Sequence, residues 1–414
     1  MHFTNYLRLQ IRILKRILLF YSKSEFVKYF TILEVQFAAL LITSRLFQGE
    51  KVESKKKLIF SAPDNGNIGD QLMLLATLNA IKGDFQIISE NSKAINILNF
   101  EWSDSIKYEI PNLYHRLPGL GFKTIFKVAK LIKNADSIYI IGADLMDGKY
   151  NYAASLHRLQ ILHLAKKLSI KSRVLGFSWS DESYNSLINY MKTCCQSTKF
   201  YVRDPKSFSR ISKHKIANLE NSADIVFSLE IKASQHSEEK EKYIVVNASG
   251  LISGNTSTLQ IYRSIISQAL NKEYRIILLP HVIRDSDDDL SILKELYKGY
   301  EYDSRINFVK SLLHPYEISK ICADATIVVT SRMHLSILSL MAGTPPLTFS
   351  SNGKVEGLLA LFEIESLAIP EFTHNNIEIF AKFEKSLTDN LYFRAKIQKN
   401  IDKVTGLSKK NFED

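Results

Sequence analysis

The sequence predicts an α/β protein with two Rossmann-like lobes that face each other across a cleft. From Lys57 onward, short apolar runs alternate with stretches of helical periodicity, which is the pattern of doubly wound parallel sheets. The alternation occurs in two series, and a polar stretch over residues 229–242 joins them. We therefore expect a basic amphipathic helical extension (1–57), an N-terminal lobe (58–230), a C-terminal lobe (231–374) and a C-terminal helical tail (375–414).

The individual elements follow from the same periodicities. Strands of the first series are predicted at 58–62, 86–89, 137–141, 173–177 and 200–203. Those of the second series are predicted at 243–247, 275–279, 306–308, 326–330 and 347–349. Helices are predicted at 71–81, 258–271, 288–298, 314–323 and 334–342. Ligands of open α/β sheets bind beyond the carboxyl ends of the strands, so the loops after these strands should contain the site.

The net charge of +11 is unevenly distributed over the 414 residues. Residues 1–57 carry eleven Lys or Arg and four Asp or Glu, whereas the rest of the chain has an excess of only four cations. This distribution, and the lack of an RNP, zinc-finger or basic-zipper pattern, argues against a nucleic-acid partner. Three cysteines without metal-ligand or disulfide spacing indicate a reducing compartment, so we expect a cytoplasmic protein without a metal site.

The N-terminal extension contains a candidate amphipathic helix over residues 6–21. Its apolar stripe is opposed by a cluster of cations: Leu7, Ile11, Leu14 and Leu18 against Arg8, Arg12, Lys15 and Arg16. Such a helix can lie at the inner face of a membrane, so residues 1–50 could make a peripheral membrane contact. The alternative is that it packs on the domain or on a second subunit. The longest uncharged run, residues 35–44, is too short to span a bilayer, and no cleaved signal is predicted.

A glycine-rich loop follows the first predicted strand. Gly66 and Gly69 flank Asn67 and precede Asp70. Glycines permit close approach of a ligand, and free amides at a helix start can bind an anion or sugar hydroxyls. Asp70 is expected at the N-cap of the following helix. The alternative is an ordinary strand–turn–helix corner in which Asp70 only caps the helix.

Three further strand ends carry polar side chains. Asp144 and Asp147 follow the third strand and can orient hydroxyls or accept a proton, although both residue types also form turns. Arg203 can hold a carboxylate or phosphate, or it can pair locally with Asp204. His281 can bind phosphate or satisfy a loop carbonyl.

The richest stretch of the sequence runs from Ser331 to Lys354. Ser331 is the expected N-cap of a helix, with Arg332 and His334 at its positive end, and Gly343 fits the position just after it. The cations Arg332, His334 and Lys354 thus converge with a helix N-terminus, an arrangement that suits a molecule carrying phosphate and carboxylate. A protonated histidine there would be suited to general acid catalysis. The alternative is helix capping by Arg332 and a core position for His334.

These motifs, in this order, resemble the polysaccharide pyruvyl transferase family: G-N-x-G-D, R-D after a strand, then S-R-x-H, G-T-P and K-x-x-G-L. The resemblance covers roughly residues 58–360. It implies a glycosyltransferase-B-like fold, an acceptor side in the N-terminal lobe and a donor side in the C-terminal lobe. Arg203, His334 and Lys354 match the family's donor-binding basic residues, Asp70 matches the acid of the first loop, and Arg332 matches the Arg of the R-x-H pair. Many members have G-G-G after the third strand where this chain has Gly142, Ala143 and Asp144, a departure that concerns the acceptor side.

The resemblance implies that pyruvate is transferred from phosphoenolpyruvate to a sugar as a ketal. His334 would be the general acid, with Asp70 or Asp144 as the group that takes a hydroxyl proton. The expected substrate-binding residues are Arg203, Arg332, Lys354, Asn67, Asp144 and His281. Phosphoenolpyruvate is a co-substrate, no cofactor is expected, and the acceptor is a sugar or lipid-linked oligosaccharide of a cell-surface or exopolysaccharide precursor. A homo-oligomer stays open, as do two other functions: a nucleotide-sugar-dependent glycosyltransferase and a non-catalytic sugar- or membrane-binding scaffold.

Overall fold

The computed structural model describes residues 25–44, 55–61, 66–91, 107–114, 121–231, 242–250, 256–285, 287–350, 353–370 and 376–413. The strands of the first sheet are β1 Lys56–Phe60, β2 Phe85–Ser89, β3 Lys107–Glu109, β4 Ala135–Ala143, β5 Lys171–Phe177, β6 Thr198–Val202 and β7 Leu219–Asn221. Those of the second sheet are β8 Tyr243–Val246, β9 Arg275–Leu278, β10 Ile306–Phe308, β11 Ile327–Thr330, β12 Pro346–Phe349 and β13 Ala368–Ile369.

Helices connect these strands. In the N-terminal half they are α1 Glu25–Thr43, α2 Ile68–Ala80, α3 Phe122–Lys133, α4 Tyr152–Lys167, α5 Asn185–Cys194 and α6 Pro205–Ser212. In the C-terminal half they are α7 Thr256–Asn271, α8 Asp289–Tyr297, α9 Pro315–Asp324, α10 Met333–Met341, α11 Lys354–Ala360, α12 Asn376–Thr388 and α13 Asn390–Lys409. Short 3₁₀ segments lie at Ile225–Ser228, Glu365–Leu367 and Lys410–Phe412.

Both sheets are parallel and doubly wound. The first has the strand order β3-β2-β1-β4-β5-β6-β7 and the second β10-β9-β8-β11-β12-β13. All pairings between the named strands are parallel. This arrangement confirms the predicted α/β class with two Rossmann-like lobes.

The sequence analysis did not predict β3, β7 and β13. Each is a short edge strand of two or three residues. β3 and β7 expose most of their side chains, so they lack the apolar run by which a buried strand is recognised. Nine of the ten predicted strands lie inside their sheets and show that run; the tenth, β10, is an edge strand whose apolar residues Ile306 and Phe308 identify it.

Helix α1 packs on the N-terminal lobe. Its inward face includes Val35, Ala38 and Ile42, which are buried in the same apolar core as α3, α4 and α5. The Glu34 side chain fixes its orientation, because Oε1 accepts from the Gly121 amide at 2.6 Å and Oε2 accepts from Gln160 Nε2 at 3.0 Å. For this part of the predicted extension, packing on the domain is therefore observed. The predicted helix over residues 6–21 lies outside the described residues.

Within the described part of the chain, we find no helix that combines the length and apolarity needed to cross a bilayer.

The two lobes touch along the cleft. The Ile68 amide donates to the carbonyl of His281 at 3.2 Å, and the Ile283 amide donates to the carbonyl of Gly66 at 2.9 Å. A second contact joins α6 and α11, where Gly357 lies so close to the Asp204 carboxylate that a Cβ atom would collide with it. The carboxyl ends of the two sheets are thereby brought face to face.

The C-terminal helices return to the first lobe. Helix α13 packs on the 3₁₀ segment that follows β7. Its end is tied by Ser408 Oγ, which donates to the Asp224 carbonyl at 2.7 Å, and by Asn411. Asn411 Oδ1 accepts from the Gly176 amide at 2.9 Å, and its Nδ2 donates to the Ala223 carbonyl at 3.2 Å. The tail thus spans both lobes.

Candidate functional site

The site is built from loops at the carboxyl ends of strands in both lobes. The first lobe contributes Asn67, Gly69 and Asp70 after β1, Asp144 after β4, Ser178 after β5, Arg203 after β6 and Asp224 after β7. The second contributes His281 after β9, His334 after β11 and Lys354 after β12. Parallel strands end at one edge of a sheet, so two facing sheets bring residues far apart in sequence into one cleft.

Arg203 is buried at the centre of this cleft. Its Nε donates to Ser178 Oγ at 2.7 Å, its Nη1 donates to Asp224 Oδ2 at 3.0 Å, and its Nη2 donates to Asp144 Oδ1. Burial alone would lower the pKa of Arg203, but Asp144 and Asp224 outweigh it and raise the pKa. Asp204, the expected local partner, instead caps α6 by accepting from the Ser207 amide at 2.8 Å. Three side chains from other loops, rather than its sequence neighbour, therefore fix the position of the guanidinium.

Asp144 links the two lobes. Its Oδ1 accepts from Arg203, and its Oδ2 accepts from Lys354 Nζ of the opposite lobe at 2.6 Å. Burial would raise the pKa of this carboxyl, but Lys354 and Arg203 overcome that effect and hold the pKa well below its usual range. Asp144 is thus ionised and is a weak base while both cations bind it.

His334 faces a second buried carboxylate. Its Nε2 lies 3.6 Å from Asp224 Oδ2, which is beyond ordinary hydrogen-bond length. Burial would raise the pKa of Asp224, whereas His334 and Arg203 lower it more strongly. On the other side, Gly69 lies against the imidazole, and a Cβ at that position would collide with the ring. Only glycine therefore lets the first loop approach His334 this closely.

Sequence reasoning missed Asp224. It follows β7, an edge strand without an apolar run, so no strand end was predicted there. Its carboxylate is fully buried and also accepts from the Val226 amide at 3.0 Å. The sequence signal that could have found it is an acidic residue directly before the apolar run 225–227.

The first loop differs from expectation in its cap. Asn67, rather than Asp70, is the N-cap of α2, and its Oδ1 accepts from the Gly69 amide at 2.9 Å. Asp70 lies in the first helical turn, where its Oδ2 accepts from Asn67 Nδ2 at 2.9 Å. The helix begins three residues earlier than predicted because Asn67 can cap it. Asp70 therefore does not cap the helix. It directly follows Gly69, the residue that contacts His334.

Arg332 corrects another expectation. Its guanidinium is not a free cation of the cleft: it donates to Asp289 Oδ1 at 2.6 Å and to Asp287 Oδ2 at 2.8 Å. Arg332 also occupies the N-cap of α10, while the expected cap, Ser331, accepts from the Ser249 amide at 2.8 Å. Arg332 thus ties the start of α10 to the start of α8, while its contact with a substrate stays a prediction.

His281 is brought to the site but is buried beneath it. Burial, followed by the charges of His334 and Arg332, holds its pKa well below the usual range, so the ring stays neutral near pH 7. Among the described residues, neither ring nitrogen has a hydrogen-bond partner. A hydrogen bond from His281 to a loop carbonyl is therefore not observed among the described residues, and its contact with phosphate stays a prediction.

A pocket adjoins Lys354 on the first-lobe side. It is lined by Asp144, Asp147, Lys149, Tyr150, Ser178, Trp179, Ser180, Ser207 and Lys354. The half-exposed Tyr150 ring lies 5.8 Å from Lys354 Nζ, and within the described residues the Trp179 indole nitrogen lacks a partner. Asp147 accepts from the Lys149 amide at 3.0 Å and the Ser180 amide at 2.9 Å, which is the turn-forming role.

Comparison with known proteins gives a family match for the chain. The sequence profile of the polysaccharide pyruvyl transferase family matches residues 67–353. Over the described residues, no group of three or more His, Cys, Asp or Glu is placed to hold a metal ion.

Solved structures with similar folds include a UDP-GlcNAc 2-epimerase from Methanocaldococcus jannaschii, with a TM-score of 0.52, 12% identity, and coverage of 80% of this chain and 92% of that one. A UDP-GlcNAc 2-epimerase from Neisseria meningitidis bound to UDP-GlcNAc has a TM-score of 0.53, 9% identity, and coverage of 86% and 97%. A glycosyltransferase from Rickettsia africae has a TM-score of 0.51, 11% identity, and coverage of 87% and 100%. At these identities the likeness concerns the fold alone, which is glycosyltransferase-B-like.

Proposed function

Because this chain belongs to the polysaccharide pyruvyl transferase family, we propose that it moves pyruvate from phosphoenolpyruvate onto a sugar of a cell-surface or exopolysaccharide precursor as a ketal. The observation that carries the proposal is the convergence of Arg203, Lys354 and His334 from two lobes on one small volume. Phosphoenolpyruvate carries a phosphate and a carboxylate on adjacent groups, so a compact set of cations suits it.

For the donor to bind, Asp144 must release its hydrogen bonds from Arg203 and Lys354. Arg203 and Lys354 both bind this carboxylate in the structure, and their side chains are only 1% and 15% exposed. An incoming carboxylate or phosphate competes for the same hydrogen-bond donors. We propose that Asp144 turns away as the donor enters, and that Arg203 keeps Asp224 as its fixed partner.

His334 is proposed as the general acid. It gives a proton to the methylene carbon of phosphoenolpyruvate, and a sugar hydroxyl bonds to the carbon that bears the phosphate. The C–O bond to phosphate then breaks, and a neighbouring hydroxyl closes the ketal. Of the two hydroxyl protons, one replaces the proton given by His334 and the other leaves with phosphate. Buried Asp224 stabilises the imidazolium form between these steps.

Asp70 is proposed to relay the hydroxyl proton that leaves with phosphate: it takes this proton from the sugar and gives it to the departing phosphate. Asp70 directly follows Gly69, and Gly69 contacts the His334 ring, so Asp70 and His334 lie in the same part of the cleft. Asp144 suits this role less well, since its cationic partners hold its pKa low. The sugar itself is proposed to bind at the cleft surface beside Lys354, where the half-exposed Tyr150 offers an aromatic ring face.

A nucleotide-sugar-dependent glycosyltransferase is the second candidate, since the fold alone is compatible with it. A thermal-shift panel separates the two. Stabilisation by phosphoenolpyruvate and not by nucleotide sugars supports pyruvyl transfer, and the reverse result would overturn it. Stabilisation by neither would favour the non-catalytic scaffold.

The direct test is phosphate release from phosphoenolpyruvate with a panel of soluble and lipid-linked sugar acceptors. Mass spectrometry should find an acceptor whose mass increases by one pyruvate less one water. We propose that this reaction takes place in the cytoplasm and needs no added cofactor. Phosphate release without a pyruvylated product would contradict the assignment.

A further inference from the structure

Helix α1 presents an apolar face to solvent. Tyr29, Leu33, Phe37 and Leu40 are 60%, 39%, 54% and 67% exposed. Their spacing of four, four and three residues places them on one stripe of the helix, opposite the face that packs on the lobe. Large exposed apolar patches of this kind mark interaction surfaces.

The orientation of α1 is fixed rather than accidental. Glu34 faces the lobe, where its carboxylate accepts from the Gly121 amide and from Gln160. Gln160 also donates to the Thr31 carbonyl at 3.2 Å. Rotation of the helix to hide the stripe would break these buried hydrogen bonds, so the stripe stays outward.

A row of lysines borders the stripe. Helix α3 carries four lysines and no acidic residue, and Lys123, Lys127 and Lys130 are exposed. The two helices are joined through aromatic rings, with Phe37 5.3 Å from Phe122 between ring centroids. We define the α1–α3 face as Tyr29, Leu33, Phe37, Leu40, Lys123, Lys127 and Lys130. It combines an apolar strip with a margin of three exposed lysines.

We propose that the α1–α3 face docks on an anionic phospholipid bilayer. Apolar side chains then enter the interfacial region while the lysines meet lipid phosphates. A second copy of the chain is a poorer occupant, because a two-fold dimer through this face would bring two rows of lysines into one interface. The segment before α1 adds to the same charge, since residues 1–24 contain five Lys or Arg and no acid.

The position of the face relative to the cleft supports the same occupant. Helix α3 connects β3 to β4 and so runs back from the carboxyl ends of the strands. Its first residues, Phe122 and Lys123, therefore lie at the edge of the lobe where the cleft opens. Docking through this face would hold the cleft near the bilayer, which is the place where a lipid-linked acceptor would be presented.

The test is co-sedimentation of the full chain with vesicles of phosphatidylcholine alone or mixed with phosphatidylglycerol. The wild type should pellet with the mixed vesicles only. Changing Lys123, Lys127 and Lys130 together to Gln should lower partitioning about 100-fold, at ~5-fold for each cation. Changing Tyr29, Leu33 and Leu40 together to Gln should lower it tenfold or more.

Matched controls remove the same groups elsewhere. One control changes the exposed Tyr302, Ile377 and Leu391 to Gln, and the other changes Lys385, Lys399 and Lys403 to Gln. Both should bind vesicles as the wild type does, and thermal unfolding by circular dichroism verifies that every variant is folded.

Failure of the wild type to bind mixed vesicles would overturn the proposal. Equal binding by the face variants and the controls would do so as well. A change in oligomeric state in the Tyr29, Leu33 and Leu40 variant, without vesicle binding by the wild type, would identify a second copy as the occupant instead. None of these measurements depends on pyruvyl transfer.

Discussion

At the scale of single residues, the site is a set of cations that already have carboxylate partners. Arg203 binds Asp144 and Asp224, Lys354 binds Asp144, and His334 faces Asp224. Each buried cation is thus paired, which avoids the cost of an isolated buried charge. A donor anion must therefore exchange partners within a neutralised cluster rather than fill an uncompensated positive site.

Replacing His334 by Ala should lower the rate of phosphate release by about 10²- to 10⁴-fold, because the group that protonates the donor is lost. The fold should persist, since Nε2 of the ring has no hydrogen-bond partner among the described residues. A His334→Gln variant, which keeps much of the volume against Gly69, should be equally inactive. Activity within about threefold of the wild type would refute the assignment of His334.

Replacing Asp144 by Asn should strengthen phosphoenolpyruvate binding several-fold, because the internal competitor for Arg203 and Lys354 loses its charge. Isothermal titration calorimetry measures the effect. Asp147→Asn is the matched control from the same loop, since Asp147 accepts only backbone amides in the described contacts and should leave donor affinity unchanged. Weaker donor binding by Asp144→Asn would show that the carboxylate orders the site rather than competing for it.

At the scale of elements, packing between helices places titratable groups in apolar surroundings. His163 of α4 is buried against α5, where its Nδ1 lies 3.1 Å from the Tyr190 hydroxyl. Burial, then the charges of Lys167 and Lys166, lowers the pKa of His163 to about 4. The helix interface therefore favours the neutral ring.

This pKa shift predicts a pH dependence of stability. The folded state holds His163 neutral, while the unfolded chain takes up a proton below about pH 6.5, so the stabilisation is complete above that pH and is lost as the pH falls toward 4. The loss should be about 3 kcal/mol over this range, measured by urea unfolding at several pH values. His163→Gln should flatten the curve, and the same change at His214, nearer the surface, serves as the control. An unchanged slope in His163→Gln would contradict the interpretation.

The elements also show what the sequence can and cannot predict. The placement of Arg203, His334 and Lys354 in one cleft could be predicted, because each follows a strand that local periodicity identifies. The pairing of Arg332 with Asp287 and Asp289 could not be predicted, because those residues lie more than forty residues away in the sequence and no local pattern encodes the pairing. The sequence predicts Asp70 at the N-cap, but Asn67 occupies that position. Both residue types cap helices well, so local sequence does not distinguish them and tertiary contacts decide which one caps.

At the scale of the whole molecule, the lobes are joined by the loop at Gly66, by the α6–α11 contact and by the returning tail. These contacts hold the two sheet edges at the distance that the Asp144–Lys354 ion pair requires. In the tail contact, Asn411 bonds two backbone groups of the first lobe and Ser408 bonds a third.

Replacing Asn411 by Ala should lower the free energy of unfolding by ~1–3 kcal/mol, because the buried Gly176 amide loses its partner. It should also lower activity, since the lobes are less firmly held together. Asn400→Ala is the control: Asn400 bonds the Phe362 and Lys396 carbonyls within the C-terminal half, so it should cost stability and spare activity. Equal loss of activity in both variants would show that the tail contributes stability alone.

The returning tail has a consequence for the order in which the protein matures on the ribosome. The β5 segment that contains Gly176 leaves the ribosome early, yet its hydrogen-bond partner Asn411 is made 235 residues later. At ~5–20 residues per second, the first lobe waits roughly 10–50 s for that contact. During this interval the nascent N-terminal lobe lacks its hydrogen bonds to Asn411, and a chain released before residue 411 is made would never form them.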